Sequence, residues 1–292
     1  MENTRKITFI SSFWLKIAAI LTMTIDHIGV VLSMFFMEYP FIREAIYPAC
    51  RIIGRLALPL FCFRVVEAVI HTRSFKKYIL SLGIIGTSVL IGHMFLVHVM
   101  KGSMNQGNIF LDLILGAILV KCLMSKKIYI KALSILPIAY ALFTELTYNI
   151  KELGFYPEYL KTQYGLYGIA LILGFYLCYL LTNLYYNTLY KKVGLSYLDF
   201  KDTEQYRLIV NALSILVITI VSVSFLFISY LDNIYVNLDA SLQCYAILSG
   251  ALLLLYNGKR GYNSIGFKYG CYIYYPLHLL AIYGLGYLIA LL

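Results

Sequence analysis

Nine apolar runs follow one another along the chain, at roughly 13–36, 46–70, 78–99, 108–124, 129–146, 165–187, 208–230, 240–256 and 269–291. A helix needs about 20 apolar residues to cross the hydrocarbon core of a bilayer. Most of the runs meet that length, the fourth, fifth and eighth being the shorter ones. The longest polar connection, 188–207, is too short for a second domain. Only 13% of the 292 residues are charged, against about 25% in a soluble domain. No strand-like alternation, internal repeat or low-complexity tract appears. The pattern predicts an all-α polytopic membrane protein, a bundle of about nine, or ten, transmembrane helices forming a single domain over residues 1–292. A soluble cofactor enzyme is excluded by composition, and no GxGxxG, Walker A or HExxH motif is present.

Charge placement orients the bundle. Basic clusters occur at Arg5/Lys6, Arg73/Lys76/Lys77, Lys126/Lys127/Lys131, Lys191/Lys192/Lys201/Arg207 and Lys259/Arg260/Lys268. They precede the first run and then fill every second loop. The intervening loops carry mixed or acidic groups: Glu38/Arg43/Glu44, Lys101, Lys151/Glu152/Glu158/Lys161 and Asp232/Asp239. The excess of Lys and Arg on one side places the amino terminus in the cytoplasm and the carboxyl terminus outside. It also accounts for most of the net charge of +10 without any nucleic-acid partner. No small-residue cleavage site follows the first run, so a cleaved signal peptide is not expected. The six cysteines stand in separate segments without metal spacing and read as packing thiols, with no metal predicted.

Ionisable groups at membrane depth cost several kcal/mol each and usually face a cavity, a partner or a substrate path. The first run holds Lys16, Asp26 and His27. Eleven residues of helix are about three turns, or about 16 Å, so Lys16 and His27 share a face while Asp26 points about 100° away. Asp26 therefore looks for a partner on another helix, and the Asp26-His27 couple serves either function or helix association. Arg51 and Arg55 share a face of the second run and need a carboxylate, for which Asp26 or Asp112 would serve. Further along that run, Arg64 and Glu67 are spaced to pair at i, i+3, and His71 reads as interfacial. Asn108 and Asp112 share a face of the fourth run. His93 and His98 fall at the surface end of the third. In the last run, Pro276 removes a backbone donor, and His278 beside it is either a structural repair or a functional group.

Six stretches, in order, resemble the blocks of the TraX family, which is named for the acetylase of F-type conjugal pilin. They are "LKIAAILTMTIDHIGVVL", "RIIGRLALPLFCFRVVEAVIHTRSFKKYI", "NIFLDLILG", "QYGLYG", "LYNGKRG" and "KYGCYIYYPLHLLAIY". The resemblance covers roughly 15–120, 160–180 and 250–290. It is similar in turn to the wider group of integral-membrane acyltransferases, many of which carry an arginine eleven residues before a histidine in the first span. Lys16 and His27 stand at that spacing, with lysine for arginine, which keeps the cation but loses the bidentate fork.

The resemblance implies an acyltransferase with acetyl-CoA as co-substrate and an acceptor peptide or saccharide at or beyond the outer face of the bilayer. Lys16 would hold a CoA phosphate, with Arg51, Arg64, Lys259 and Arg260 as further candidates for CoA. His27 would act as general base or transient acyl carrier, since imidazole accepts a proton at neutral pH. Asp26 would balance the site with Arg55, and Arg51 or Arg55 with Asn108 would stabilise an oxyanion. Asp112 and His278 complete the candidate catalytic set. An ion-coupled small-molecule transporter and a non-catalytic membrane subunit of a conjugation or secretion assembly are the alternatives.

Overall fold

The computed structural model describes residues 7–98, 107–193, 200–201, 203–231 and 239–290. Arg5, Lys6, Lys101 and Asp232 lie outside the described residues, as do the side chains of His93, His98, Lys151, Lys191 and Lys192. The chain folds into helices α1 (Ser12–Phe35), α2 (Tyr47–Gly54), α3 (Ala57–His71), α4 (Phe75–His98), α5 (Ile109–Leu123), α6 (Ile128–Ala132) and α7 (Ile135–Asn149). These are followed by α8 (Gly165–Val193), α9 (Glu204–Ser229), α10 (Ala240–Gln243), α11 (Ser249–Leu254) and α12 (Ile265–Ala290). A single parallel bridge, Ile10 to Tyr256, is the only extended pairing among the described residues.

Among the described residues, six helical stretches are long and apolar enough to cross a membrane: Ser12–Phe35, Phe75–Gly92, Ile128–Asn149, Glu158–Leu189, Glu204–Ser229 and Ile265–Ile289. The other three apolar runs take different forms, each with a local cause. The second is split into α2 and α3. Pro59 has no N–H to give the carbonyl of Arg55, and the Arg55 and Leu56 amides instead bond three residues back, to Ile52 and Ile53 at 3.2 Å. The fourth, α5, is short because Asn108 caps it, its side chain accepting from the Phe110 amide at 3.0 Å. The eighth is a composite in which the 3₁₀ segment Cys244–Leu248 separates α10 from α11.

Apolar burial gives little drive for helices to associate within lipid, so close packing at small residues and polar ties carry the association. A Cβ on Gly29 would lie 2.7 Å from Cys50 Cβ, on Gly116 2.1 Å from Ile172, and on Gly174 2.4 Å from Val217. The α1–α2, α5–α8 and α8–α9 seams are thus as tight as glycine allows. A buried polar knot ties α3, α8, α9 and the 255–261 loop together. Glu67, 5% exposed, accepts from Arg207 Nη1 at 3.0 Å and from the hydroxyls of Tyr179 and Tyr256, the latter at 2.8 Å. Arg207 is therefore a core residue and not a loop charge. The i, i+3 pairing of Arg64 with Glu67 does not form; Arg64 donates instead to the Ser12 hydroxyl. A carboxylate held by a guanidinium and two phenols satisfies its lone pairs far better than a single contact with Arg64 on the same helix.

The helix ends that carry the described basic clusters gather on one side. The N-terminal segment lies on the 255–261 loop, with the Ser12 and Phe13 amides donating to the carbonyls of Lys259 and Arg260. Thr8 donates to Glu204 at the start of α9, and Lys121 at the end of α5 sits over Phe75 at the start of α4. Helices α1 and α12 run parallel from this basic end: Phe13 packs on Phe267, His27 meets His278, and Gly286 abuts Val31.

Candidate functional site

Between α1, α3, α4, α5 and α12 lies a cavity of about 190 Å³. Lys16, Arg64, Tyr78, Cys271 and Tyr272 line one part of it, and Ile20, Val65, Leu82, Ile85 and Leu113 form apolar walls. Met23, Phe61, Ile109 and Tyr275 then serve both this cavity and a smaller chamber of about 20 Å³. The smaller chamber is lined by Asp26, His27, Gly54, Gln163 and Tyr164, and its size suits about one water. Lys16 lines the larger and His27 the smaller of two adjoining cavities, and the path between these two groups, which sequence spacing puts on one face of α1, runs along the four walls that the cavities share.

At its basic end, Lys16 Nζ stands 5.0 Å from the Phe267 ring and 5.9 Å from that of Tyr272. It makes no ion pair among the described residues, and the charges of Arg64 and Lys268 lie close by. Lys259 and Arg260 do not line the cavity. Their side chains are exposed, and their carbonyls cap α1 one turn before Lys16, which leaves both cations on the rim.

Deeper in, His27 Nδ1 lies 2.8 Å from His278 Nε2, and His278 Nδ1 lies 3.0 Å from the Tyr274 carbonyl. A carbonyl only accepts, so His278 Nδ1 carries a proton. In a neutral His278, Nε2 is then an acceptor, and the proton between the rings belongs to His27 Nδ1. This leaves the lone pair of a neutral His27 on Nε2, which has no hydrogen-bond partner among the described residues. His278 ties its ring to its own helix and to His27, and it does not repair the break at Pro276. The carbonyl it touches is that of Tyr274, whereas the donor lost at Pro276 would have served Tyr272.

Beside this pair, Asp26 Oδ1 accepts from Arg51 Nη1 at 2.8 Å and from Arg55 Nη2 at 2.7 Å. Arg55 Nε turns back to the Arg51 carbonyl at 3.2 Å. The close approach depends on Gly54, where a Cβ would stand 2.2 Å from Asp26 Oδ1 and 2.4 Å from its Cβ. Asp26 is held by two arginines and cannot retreat, so Gly54→Ala is expected to cost about 1–3 kcal/mol, the usual penalty for overpacking. Thermal denaturation in detergent checks this; an unchanged midpoint would show that α1 and α2 separate freely.

Asn108 and Asp112 stand apart from the chamber. The Asn108 amide gives one hydrogen to the Gly86 carbonyl at 2.9 Å while its oxygen caps α5. Asp112, fully buried, accepts from the Gln163 and Tyr164 amides at 2.8 and 3.2 Å. Asn108 lines neither cavity, and Asp112 supports Gln163 and Tyr164 through their amides. Those two residues, with Gly54, Cys271 and Tyr275, line the path without having been singled out as site residues by sequence. "QYGLYG" entered only as a block of the family resemblance, with no role for its residues, and no pattern marks a tyrosine as a cavity wall.

Comparison with known proteins gives two similarities. The family model described as TraX protein matches residues 11–236. It runs through 185–236, where no motif had been recognised, and stops short of "KYGCYIYYPLHLLAIY". The "Probable fimbrial assembly protein FimC, serogroup H1" of Dichelobacter nodosus is 40% identical over 75 residues, 26% of this chain and 28% of that protein. The chain thus matches little more than a quarter of that curated relative's length. No solved structure matches. With well over half of its length inside one family model, the chain belongs to the TraX protein family.

Proposed function

We propose that this protein is a membrane-embedded acyltransferase that moves an acetyl group from cytoplasmic acetyl-CoA to an acceptor amine or hydroxyl at the membrane or its outer face. The observation that carries the reading is the pair of adjoining cavities between Lys16 and His27, the larger apolar in most of its walls and cationic at one end, the smaller lined by an imidazole whose free nitrogen is Nε2. Lys16 and Arg64, with Lys268, Lys259 and Arg260 at the rim, would take the CoA phosphates, and the pantetheine arm would follow the path inward. His27 Nε2 would remove the acceptor proton as the nucleophile attacks the thioester carbon. The oxyanion would form in the field of Arg51 and Arg55, and the departing CoA thiolate would recover the proton from His27.

The same reading sets nine crossings in the cell membrane, with the amino terminus and the basic end cytoplasmic. Parallel α1 and α12 suit an odd number of crossings, since both helices start from that end. The TraX model and the fimbrial-assembly relative favour an acceptor belonging to a pilus or another surface structure, such as a peptide amino terminus or a saccharide.

The test is binding and turnover of radiolabelled acetyl-CoA by the full chain in nanodiscs. Saturable binding with slow release of CoA is expected; folded protein that binds no acetyl-CoA would sink the reading and return attention to transport. Lys16→Gln is expected to weaken CoA binding about tenfold or more, since hydrogen bonds to charged groups contribute about 1.5–3 kcal/mol. Equal affinity in the variant would take Lys16 out of the phosphate site.

A further inference from the structure

The arginine pair beside His27 is over-supplied with positive charge. Asp26 is a single carboxylate, both guanidiniums converge on the same Oδ1, and Arg51 Nε is buried without a partner. Charges at membrane depth are rarely left uncompensated, so the surroundings of Arg51 decide the matter. Glu44, on the turn before α2, is exposed and paired with Arg43 at 2.9 Å. Asp239 reaches Arg55 only through its field, and its Oδ1 is taken by the Ser241 hydroxyl and the Leu242 amide at 2.6 and 3.0 Å. Tyr283 of α12 lies close enough to feel Arg51 and is a phenol. Asp112 is turned to the 163–164 backbone. Among the described residues no second carboxylate answers Arg51, and the charges of Arg51 and Arg55 both act on His27.

Arg51 also stands on the side of His27 away from Lys16, because α2 enters from the end opposite the basic one. A ligand there is not the phosphate end of the donor. We propose that Arg51 binds an anionic group, a carboxylate or phosphate, carried by the acceptor close to the hydroxyl or amine that His27 deprotonates. This rests on the acyl-transfer reading for the identity of the ligand as acceptor, but the anion site itself does not. The same charge disfavours a cationic acceptor, such as a peptide whose amino terminus is protonated with no acid nearby.

The experiment measures equilibrium binding of radiolabelled glycerol 3-phosphate to the full chain in phosphatidylcholine nanodiscs, with acetyl-CoA binding followed in parallel. Saturable binding is expected, competed by inorganic phosphate and not by glycerol or ethanolamine. Arg51→Gln should weaken it at least tenfold and Lys16→Gln should not. Arg51→Lys keeps the charge and the Asp26 pair while removing the fork, so a loss of several-fold covers the case in which Arg51→Gln fails to fold. Nanodiscs containing phosphatidylglycerol separate the sources: displacement of the probe assigns the anion to a lipid headgroup, and no displacement assigns it to a soluble or polymer-borne acceptor. No saturable binding, equal competition by ethanolamine, or loss in Lys16→Gln instead of Arg51→Gln overturns the proposal. Loss of acetyl-CoA binding with phosphate binding intact would instead overturn the acyl-transfer reading alone.

Discussion

His27→Ala is expected to bind acetyl-CoA with near wild-type affinity and to transfer its acetyl group about 10²- to 10⁴-fold more slowly, the range for loss of a general base. Affinity survives because the cationic groups that would hold CoA lie about 16 Å away, three helical turns along α1. Rate does not, because Nε2 is the only nitrogen of the pair with its lone pair free. His278→Gln separates the two roles of the second ring. Glutamine can still accept from His27 Nδ1, yet it cannot keep one ring orientation through a simultaneous bond to Tyr274. An intermediate loss in turnover is expected there, with CoA affinity unchanged. A His27→Ala protein that turns over within about threefold of wild type, well below the loss expected of a general base, would remove His27 from the chemistry and leave the His27–His278 bond as a helix tie.

Arg207→Ala should be the most destabilising single change in the basic half of the protein. It leaves Glu67 buried and uncompensated, which costs about 3–5 kcal/mol. It also empties the space between Tyr256 and Tyr179, whose ring centres lie 5.1 and 5.8 Å from the guanidinium carbon. Gly258, at φ +74°, packs directly on that guanidinium, so the 255–261 loop loses its seat and the cap of α1 goes with it. Melting in detergent, read by the fluorescence of Trp14 near that cap, should fall sharply. The double variant Glu67→Gln/Arg207→Met should regain part of the loss, because the penalty lies in the orphaned carboxylate more than in the absent pair. A double variant as unstable as Arg207→Ala would place the cost in packing instead.

Much of this arrangement was legible in the sequence, for reasons that differ from residue to residue. The i, i+4 spacing of Arg51 and Arg55 requires a shared acid, and the periodicity of α1 aims Asp26 away from His27. Sequence left Asp26 and Asp112 equal as that acid. Gly54 decides between them by letting α2 close on α1, a consequence of shape that charge counting does not contain. The Arg64–Glu67 expectation failed because a local pair was weighed without its competitors, three groups more than a hundred residues away in sequence. Asn108 and Asp112 were read as a chemical face, yet each answers a backbone demand created by a helix start. The one long apolar run over 46–70 concealed a break at Arg55–Leu56, where the donor missing at Pro59, four residues after Arg55, outweighs continuous hydropathy.

The bond between His27 and His278 joins residues 251 positions apart. During synthesis α1 enters the membrane while α12 is still unmade, so through most of translation the free imidazole of His27 has no fixed tautomer and one wall of the cavity is lipid. Arrival of α12 supplies that wall and the second ring in one step. A nascent chain stalled before it would carry Lys16 and His27 at their proper spacing and still lack the site.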